Sequence, residues 1–350
     1  MQRKSEKKYN IAVDAMGGDF APSNEIEGAL LALNDKFGGD LEITLVGNEA
    51  KIRTAMKEKG ADNPALTVFH TSESVTMDDD PTAALKRKRD SSLFKGIELV
   101  KNGNADGFIS AGNTGAMLST STVLLGRIKG VSRPTIGSFM PTRHDRPTLV
   151  LDVGATIDIK SRFLYEFAVM GSIYSKQLLG IESPKIGLLN IGEEESKGTE
   201  EIKNTHKLLK ESSLNFIGNV EGRDILMGTA DVVVCDGFTG NIILKFAESF
   251  LGLLKSKIKA FSEKSLINKL LTAMTVPVLK QILKQFDYQE YGGVPLLGVN
   301  GNVIIGHGKS TPLAIKNMIN RAVEMSQKEL NRKIADALNP NNIENKIEKS

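Results

Sequence analysis

The chain has 350 residues, 40% of them apolar, which is enough to bury a substantial core in one large domain or two ordinary ones. Forty-five basic residues against 42 acidic ones leave a net charge of +3, which specifies no partner by itself, so basic patches have to be sought locally. No stretch approaches the roughly 18 apolar residues of a membrane span, the N-terminus MQRKSEKKYN has no apolar signal core, and the lone Cys235 excludes an internal disulfide framework or a Cys-pair metal site, which fits a reducing cytoplasm.

Taken in chain order, IAVDAM, LEITLVG, LTVFHT and ADGFIS read as strands. TIGSFMP and TLVLDVG follow, then KIGLLNIG, LNFIGNV, ADVVVCDG and finally GNVIIG. The segments between, such as SRFLYEFAVMGSIYSKQLL, repeat apolar residues at helical spacing. Strand followed by helix, many times over, predicts a mostly parallel sheet covered on both faces. TIGSFMP and TLVLDVG lie too close for a crossover, so this pair is expected to be an antiparallel hairpin and the sheet to be mixed. No linker rich in Pro, Gly or Ser divides the chain. The expectation is one α/β unit over 10–330, with 1–9 and 338–350 as disordered tails. An excursion at 251–288 interrupts the strand rhythm with Leu, Ile and Lys.

Ligands of open α/β sheets sit beyond the carboxyl ends of the strands. Five strand ends mix glycine with polar residues: DAMGGD (14–19), SAGNTG (110–115), DVG (152–154), NIGEEE (190–195) and DGFTGN (236–241). They are expected along one sheet edge. The segments 112–115 and 237–240 share the pattern G-x-T-G, each opening a helix, which suggests two similar anion cradles of backbone N–H groups. A glycine after a strand is often only a turn, and Asp or Thr beside it only a cap. Five such ends together point to a ligand cleft.

Familiar motifs fail. GNVIIGHGKS has Val303 where a P-loop requires its first glycine, and no G-x-G-x-x-G follows a strand. No G-x-S-x-G elbow exists, and His70, His144, His206 and His307 show no H-E-x-x-H spacing. A metal site is therefore unsupported. His307 lies between two glycines, ahead of Lys309, Ser310 and the helix starter Thr311-Pro312, and has no apolar face to fill, which favours a functional role.

AVDAMGGDFAPSNEIEGAL, ISAGNTGAML, VLDVGATID, LLNIGEEESKG, VCDGFTGNIILK and YGGVPLLGVNGNVIIGHGKS resemble, in order and spacing, the bacterial acyl-acyl carrier protein:phosphate acyltransferases of phospholipid synthesis, the PlsX family. The resemblance spans about 10–327. It implies an αβα sandwich similar to phosphotransacetylases and isocitrate-type dehydrogenases, normally a homodimer, with no cofactor. It implies transfer of a fatty acyl group from acyl carrier protein to inorganic phosphate, giving acyl phosphate for a downstream membrane glycerol-3-phosphate acyltransferase. A cytoplasmic protein reversibly associated with the inner face of the cell membrane is implied as well, with no nucleic acid partner. Thr156 departs from the family's usual Asn, so no amide role is carried to that position, and Ile159 stands where smaller or polar residues are common.

The chemistry suits these residues. Phosphate is already an anionic nucleophile and a thiolate leaves readily, so neither an activated serine nor a metal is required. The protein has to cradle phosphate, align it and stabilise the developing oxyanion. Gly112, Thr114, Gly115, Gly237, Thr239 and Gly240 are candidate anion-binding positions at the two helix starts, joined by Gly17, Gly18, Gly154, Asn190, Gly308 and Ser310 as substrate-binding candidates. Asn113 and Asn241 are candidate donors to a carbonyl or phosphate oxygen, and Lys309 offsets phosphate charge. His307 is the candidate oxyanion donor or the acid that protonates the leaving thiol. Asp14, Asp19, Asp152 and Asp236 would repel an adjacent phosphate and are expected to orient backbone and cationic groups. The sequence leaves open which junction takes phosphate and which the pantetheine arm.

Lys86, Arg87, Lys88 and Arg89 fall in a predicted helix, compatible with a solvated face or with docking of the acidic carrier protein. In the excursion, Leu266, Ile267, Leu270, Leu271 and Met274 form one helical stripe; beyond an expected break at Pro277, Leu279 and Ile282 belong to another. Two short amphipathic helices with lysines off the stripes fit a lipid surface and, equally, a dimer contact. Two other readings stay open. One is an NAD(P)-dependent 2-hydroxyacid oxidoreductase of the isocitrate dehydrogenase type. The other is a nucleotide- or lipid-sensing adaptor without catalysis.

Overall fold

The computed structural model describes residues 8–144, 146–284 and 291–339; at 251, 277 and 279–284 only the helical backbone is described. Its strands are β1 (Tyr9–Asp14), β2 (Leu41–Gly47), β3 (Leu66–His70), β4 (Gly107–Ser110), β5 (Thr135–Met140), β6 (Thr148–Leu151), β7 (Ile186–Leu189), β8 (Phe216–Val220), β9 (Val232–Val234), β10 (Val294–Leu297) and β11 (Val303–Ile305). They make one sheet in the order β3-β2-β1-β4-β11-β10-β5-β6-β9-β7-β8. The helices are α1 (Ser23–Leu33), α2 (Glu49–Glu58), α3 (Pro81–Arg87), α4 (Ser92–Lys101), α5 (Thr114–Leu124), α6 (Ser161–Leu178), α7 (Glu200–Lys210), α8 (Gly222–Met227), α9 (Gly237–Ser262), α10 (Leu266–Lys284), α11 (Pro312–Gln327) and α12 (Leu330–Ala337).

Successive strand residues point to opposite faces, and both faces are buried. Ile11, Val13 and Ile109 enter one apolar cluster with residues of α1, α6 and α11; Ala12 and Phe108 enter another with residues of α4 and α5. This produces the expected αβα sandwich, and it explains why β4, β5, β6, β7 and β9 are buried at every position and show no alternation. Removing a side chain such as Phe108 from water contributes about 2–3 kcal/mol. Helix α4 approaches that ring through Gly96, where a Cβ would overlap it.

The anticipated β5–β6 hairpin is present, pairing Gly137 with Leu151 through to Met140 with Thr148. Strand β10 was not anticipated, because Pro295 and the flanking glycines disguise it. It pairs antiparallel with β11, and its ladder to β5 uses only Leu296 and Leu297, after the proline.

These antiparallel pairings overturn the single-edge expectation. Strands β3, β2, β1, β4 and β11 run one way. Three successive antiparallel steps, β11 to β10, β10 to β5 and β5 to β6, then reverse the direction, and β6, β9, β7 and β8 run parallel to one another in the opposite sense. The polar strand ends therefore divide between two opposite edges of the sheet.

Three further expectations change. The excursion does not break at Pro277: α10 runs on to Lys284, and its partner arm is α9, which starts back at the DGFTGN junction. The turn falls at 263–265, where the Ser265 hydroxyl accepts the Asn268 amide at 3.1 Å and restarts the helix. Leu279 and Ile282 fall where only the helical backbone is described, and positions 285–288 lie outside the described residues. The basic run is only half helical, since α3 ends at Arg87. Lys88 donates to Asp79 Oδ2 at 2.6 Å and to the Ser74 carbonyl at 3.0 Å, so it braces a loop while Lys86, Arg87 and Arg89 stay exposed. The ordered body is also wider than 10–330. Tyr9 opens β1, α12 follows α11, and Leu338 is buried; 1–7 and 340–350 lie outside the described residues. Among the described residues no helix is long and apolar enough to cross a membrane.

Candidate active site

At the first edge β1, β4 and β11 end side by side. The register pairs Val13 with Ile109 and Ile305 with Ser110, so DAMGGD, SAGNTG and GHGKS leave the sheet as neighbours. Asp14 is buried and accepts the Ser110 hydroxyl at 2.7 Å and the Met16 amide at 3.1 Å; Ser110 Oγ in turn accepts the Gly112 amide at 3.0 Å. Burial raises the Asp14 carboxyl above the usual range, against the hydrogen bonds it receives. A Cβ on Gly17 would stand 2.6 Å from Asp14 Oδ2 and 2.8 Å from Ser110 Oγ, so only glycine lets the loop close over that pair. The Asp19 amide donates to the Gly308 carbonyl at 2.8 Å, tying in the third loop. Asp14 thus holds a hydroxyl and a backbone amide through its carboxylate, whereas Asp19 is tied in through its own amide.

Asn113 caps α5 by accepting the Ala116 amide at 3.0 Å, and its amide group donates to the carbonyls of Thr76, Met77 and Asp79 at 3.2, 3.2 and 3.1 Å. Its donors are committed to the 76–79 loop and are not offered to a ligand as the sequence suggests. The cap leaves the Thr114 and Gly115 amides, the first two of α5, without a partner among the described residues, and Thr114 is exposed. Lys309 is exposed, and its ammonium group makes no ion pair among the described residues. Its backbone amide donates to His307 Nδ1 at 3.1 Å, which assigns the neutral ring's hydrogen to Nε2. Ser310 is buried, its hydroxyl has no partner among the described residues, and its carbonyl accepts from Asn24.

The second edge uses the same residue types differently. Asp152 accepts the amides of Ile136, Gly154, Ala155 and Thr156 at 3.3, 3.1, 3.0 and 2.7 Å, yet burial still raises its carboxyl above the ordinary range. Asp236 caps α9, accepting the Thr239 amide at 2.8 Å and the Thr239 hydroxyl at 2.7 Å. The Gly237 amide donates to the Thr156 carbonyl at 2.7 Å and the Gly240 amide to the Asp236 carbonyl at 3.0 Å. In the first turn of α9 only the Phe238 amide remains without a partner among the described residues. A Cβ on Gly240 would overlap the Asp152 carbonyl oxygen, so the helix starts pressed onto backbone. Asn190 shapes its own loop, donating to the Lys197 carbonyl at 3.1 Å and accepting the Ile191 amide at 2.8 Å. Asn241 is exposed beside Gly154, with its side chain 3.8 Å from where a Cβ there would stand.

Residues 9–333 match the family model described as "Fatty acid synthesis protein". The chain belongs to this family. Similar curated relatives include the phosphate acyltransferase of Dictyoglomus turgidum, 44% identical over 334 residues and covering 94% of this chain and 97% of the relative. The phosphate acyltransferase of Nitratiruptor sp. is 47% identical over 328 residues, with 94% and 97% covered, and that of Chlorobaculum parvum 46% identical over 336 residues, with 94% and 98% covered. Among solved structures, a phosphotransacetylase from Streptococcus pyogenes superposes with a TM-score of 0.59 at 20% identity, over 92% of this chain and 94% of that one. The EutD phosphotransacetylase from Staphylococcus aureus gives 0.58 at 17% identity over the same shares. These likenesses establish the fold.

Within this fatty acid synthesis family member, His307, Asn113, Lys309, Gly17, Gly18, Gly112, Thr114, Gly115, Gly308 and Ser310 converge on one edge. Asn241, Gly154, Asn190, Gly237, Thr239 and Gly240 lie at the other. Glu25 at the first edge escaped the sequence reading. An acid in the opening turn of a helix reads as a favourable dipole partner, and nothing in its spacing marks it as buried.

Proposed function

We propose that this protein transfers a fatty acyl group from acyl carrier protein to inorganic phosphate, and that phosphate binds at the β1–β4–β11 edge. One observation supports the placement: among the described residues the first turn of α5 keeps two backbone donors open, beside a loop bearing His307 and a Lys309 whose ammonium group makes no ion pair, whereas the first turn of α9 keeps only the Phe238 amide. With its hydrogen on Nε2, His307 suits donation to the oxyanion of a tetrahedral intermediate better than protonation of the thiol. The acyl phosphate formed would pass to a membrane glycerol-3-phosphate acyltransferase.

Lys86, Arg87 and Arg89 are the docking surface for the acidic carrier protein. They sit at the end of α3, which packs on α5 where Gly115 faces Pro81, one helix away from the open amides. Reversing Lys86 and Arg87 to Glu is expected to raise the KM for acyl carrier protein substrates; an unchanged KM returns the patch to plain solvation.

The α9–α10 hairpin is read as the lipid contact. Leu266, Ile267, Leu270 and Met274 are 85%, 72%, 64% and 71% exposed, so the stripe faces away from α9. A groove of about 810 Å³ beside it is lined by Ile258, Leu266, Val276 and the lysines Lys255, Lys259 and Lys269, which suit anionic headgroups. In this reading the protein is a cytoplasmic homodimer that touches the membrane reversibly. Vesicle flotation of Leu270→Glu/Leu271→Glu with oligomer size monitored separates lipid contact from a dimer contact.

The reaction itself is tested by following acyl-acyl carrier protein with and without phosphate. Phosphate-dependent loss of the thioester with appearance of acyl phosphate is expected. A thioester that survives saturating phosphate removes the assignment.

A further inference from the structure

Beneath the glycine loop of the β1–β4–β11 edge lies a carboxyl group that the proposed chemistry does not use. Glu25, in the first turn of α1, is 1% exposed, and its Oε2 has no hydrogen-bond partner among the described residues. Its Oε1 lies 2.5 Å from where a Cβ on Gly18 would stand, and that point is 3.5 Å from the Ala111 methyl. Gly17 closes over Asp14 and Ser110, and a Cβ on Gly112 would meet the Gly17 Cα at 3.2 Å. The acid, the Gly17–Gly18 backbone and the SAGNTG loop are therefore one packed unit.

Among the described residues no cation answers this acid. On α11, which packs on α1 where Gly28 meets Ile315, Lys316 pairs with Asp35 and Arg321 with Glu324. On α2, Lys59 belongs to the C-cap and pairs with Glu27; on α4, Lys95 pairs with Glu98; on the loop after β11, Lys309 is exposed. From β1 the group that acts on it is another acid, Asp14. Burial first, and Asp14 after it, push the Glu25 carboxyl up to about 8, opposed only by its own backbone amide.

We propose that Glu25 is a positioning residue of this edge. As an uncharged acid it fills the space beneath Gly18 and seats the Gly17–Gly18 loop against Ala111 and Gly112. Ionised, it sets a second negative charge beside Asp14, unseats that loop and weakens the hold on phosphate. The inference rests on this edge being the phosphate site. Stability reports the same proton. Glu25 holds it to about pH 8 when folded and gives it up near the ordinary 4.5 when unfolded, so unfolding releases a proton between those values. The contribution of Glu25 to stability accordingly falls as pH rises through that window and is level above it.

The test compares wild type with Glu25→Gln and Glu25→Met, varying phosphate from about pH 6 to about pH 9.5 and measuring thermal unfolding from about pH 4.5 upward. Above about pH 8 the wild-type kcat/KM for phosphate is expected to fall about tenfold per pH unit relative to either variant, through KM with kcat little affected. The melting temperature of Glu25→Gln relative to wild type is expected to climb from about pH 4.5 to about pH 8 and then stay level. A variant-to-wild-type ratio of kcat/KM that is constant across the range overturns the positioning role. A constant difference in melting temperature overturns the buried uncharged acid. Absence of phosphate-dependent activity in wild type at every pH overturns the phosphate reading instead, so the two failures are distinct.

Discussion

At the β6–β9 edge the first turn of α9 is all but sealed: Asp236 takes the Thr239 amide, Thr156 takes the Gly237 amide, Gly240 lies against the Asp152 backbone, and among the described residues only the Phe238 amide has no partner. At the β1–β4–β11 edge the first turn of α5 keeps the Thr114 and Gly115 amides open. Both helices open on G-x-T-G, but the cap sits inside the pattern at Asn113 and ahead of it at Asp236. Each cap accepts the third amide of its helix, and it is the Thr156 carbonyl that takes the first amide of α9, so the neighbouring backbone and not glycine content decides which donors a helix start can offer. A glycine can clear room for an anion, or it can clear room for the protein's own backbone.

Four substitutions break or sharpen this contrast. The largest effect belongs to the sealed edge: Gly240→Ala is expected to lower stability by about 3 kcal/mol, read by urea denaturation, because the new methyl meets a backbone carbonyl that cannot swing aside. An unchanged midpoint would show that this helix start is not tightly seated. At the open edge, His307→Ala should reduce kcat about a hundredfold while leaving the urea midpoint in place, the cost of one oxyanion donor. Wild-type turnover in that variant would remove the histidine from the chemistry. Lys309→Ala is expected to raise the KM for phosphate about tenfold, equivalent to about 1.4 kcal/mol. The smallest effect is expected for Asn241→Ala at the sealed edge, less than about twofold in the phosphate KM. A response equal to that of Lys309→Ala would erase the distinction between the edges.

Much of the fold is legible in the sequence because strands buried on both faces are dominated by apolar residues with no polar alternation, as β4, β6, β7 and β9 are. Sheet polarity is not, because it depends on which strands meet. Of the three antiparallel steps β5–β6 and β10–β11 both have short connections, but β10 hides behind Pro295, so only the first is announced. In the hairpin Pro277 looks like a stop signal, while the working signal is the modest Ser265 cap. At the site, the glycines, Asp14, His307 and Lys309 stand out by composition. The commitment of the Asn113 amide to the 76–79 loop and the burial of Glu25 follow only from long-range packing.

The central claim is that the anion goes to the open edge. A crystal grown with arsenate, a heavier analogue of phosphate, locates it by anomalous scattering. The account predicts a peak within hydrogen-bonding distance of the Thr114 and Gly115 amides, with Lys309 turned toward it. A peak against Gly154 and Asn241, with the α5 start empty, would contradict it.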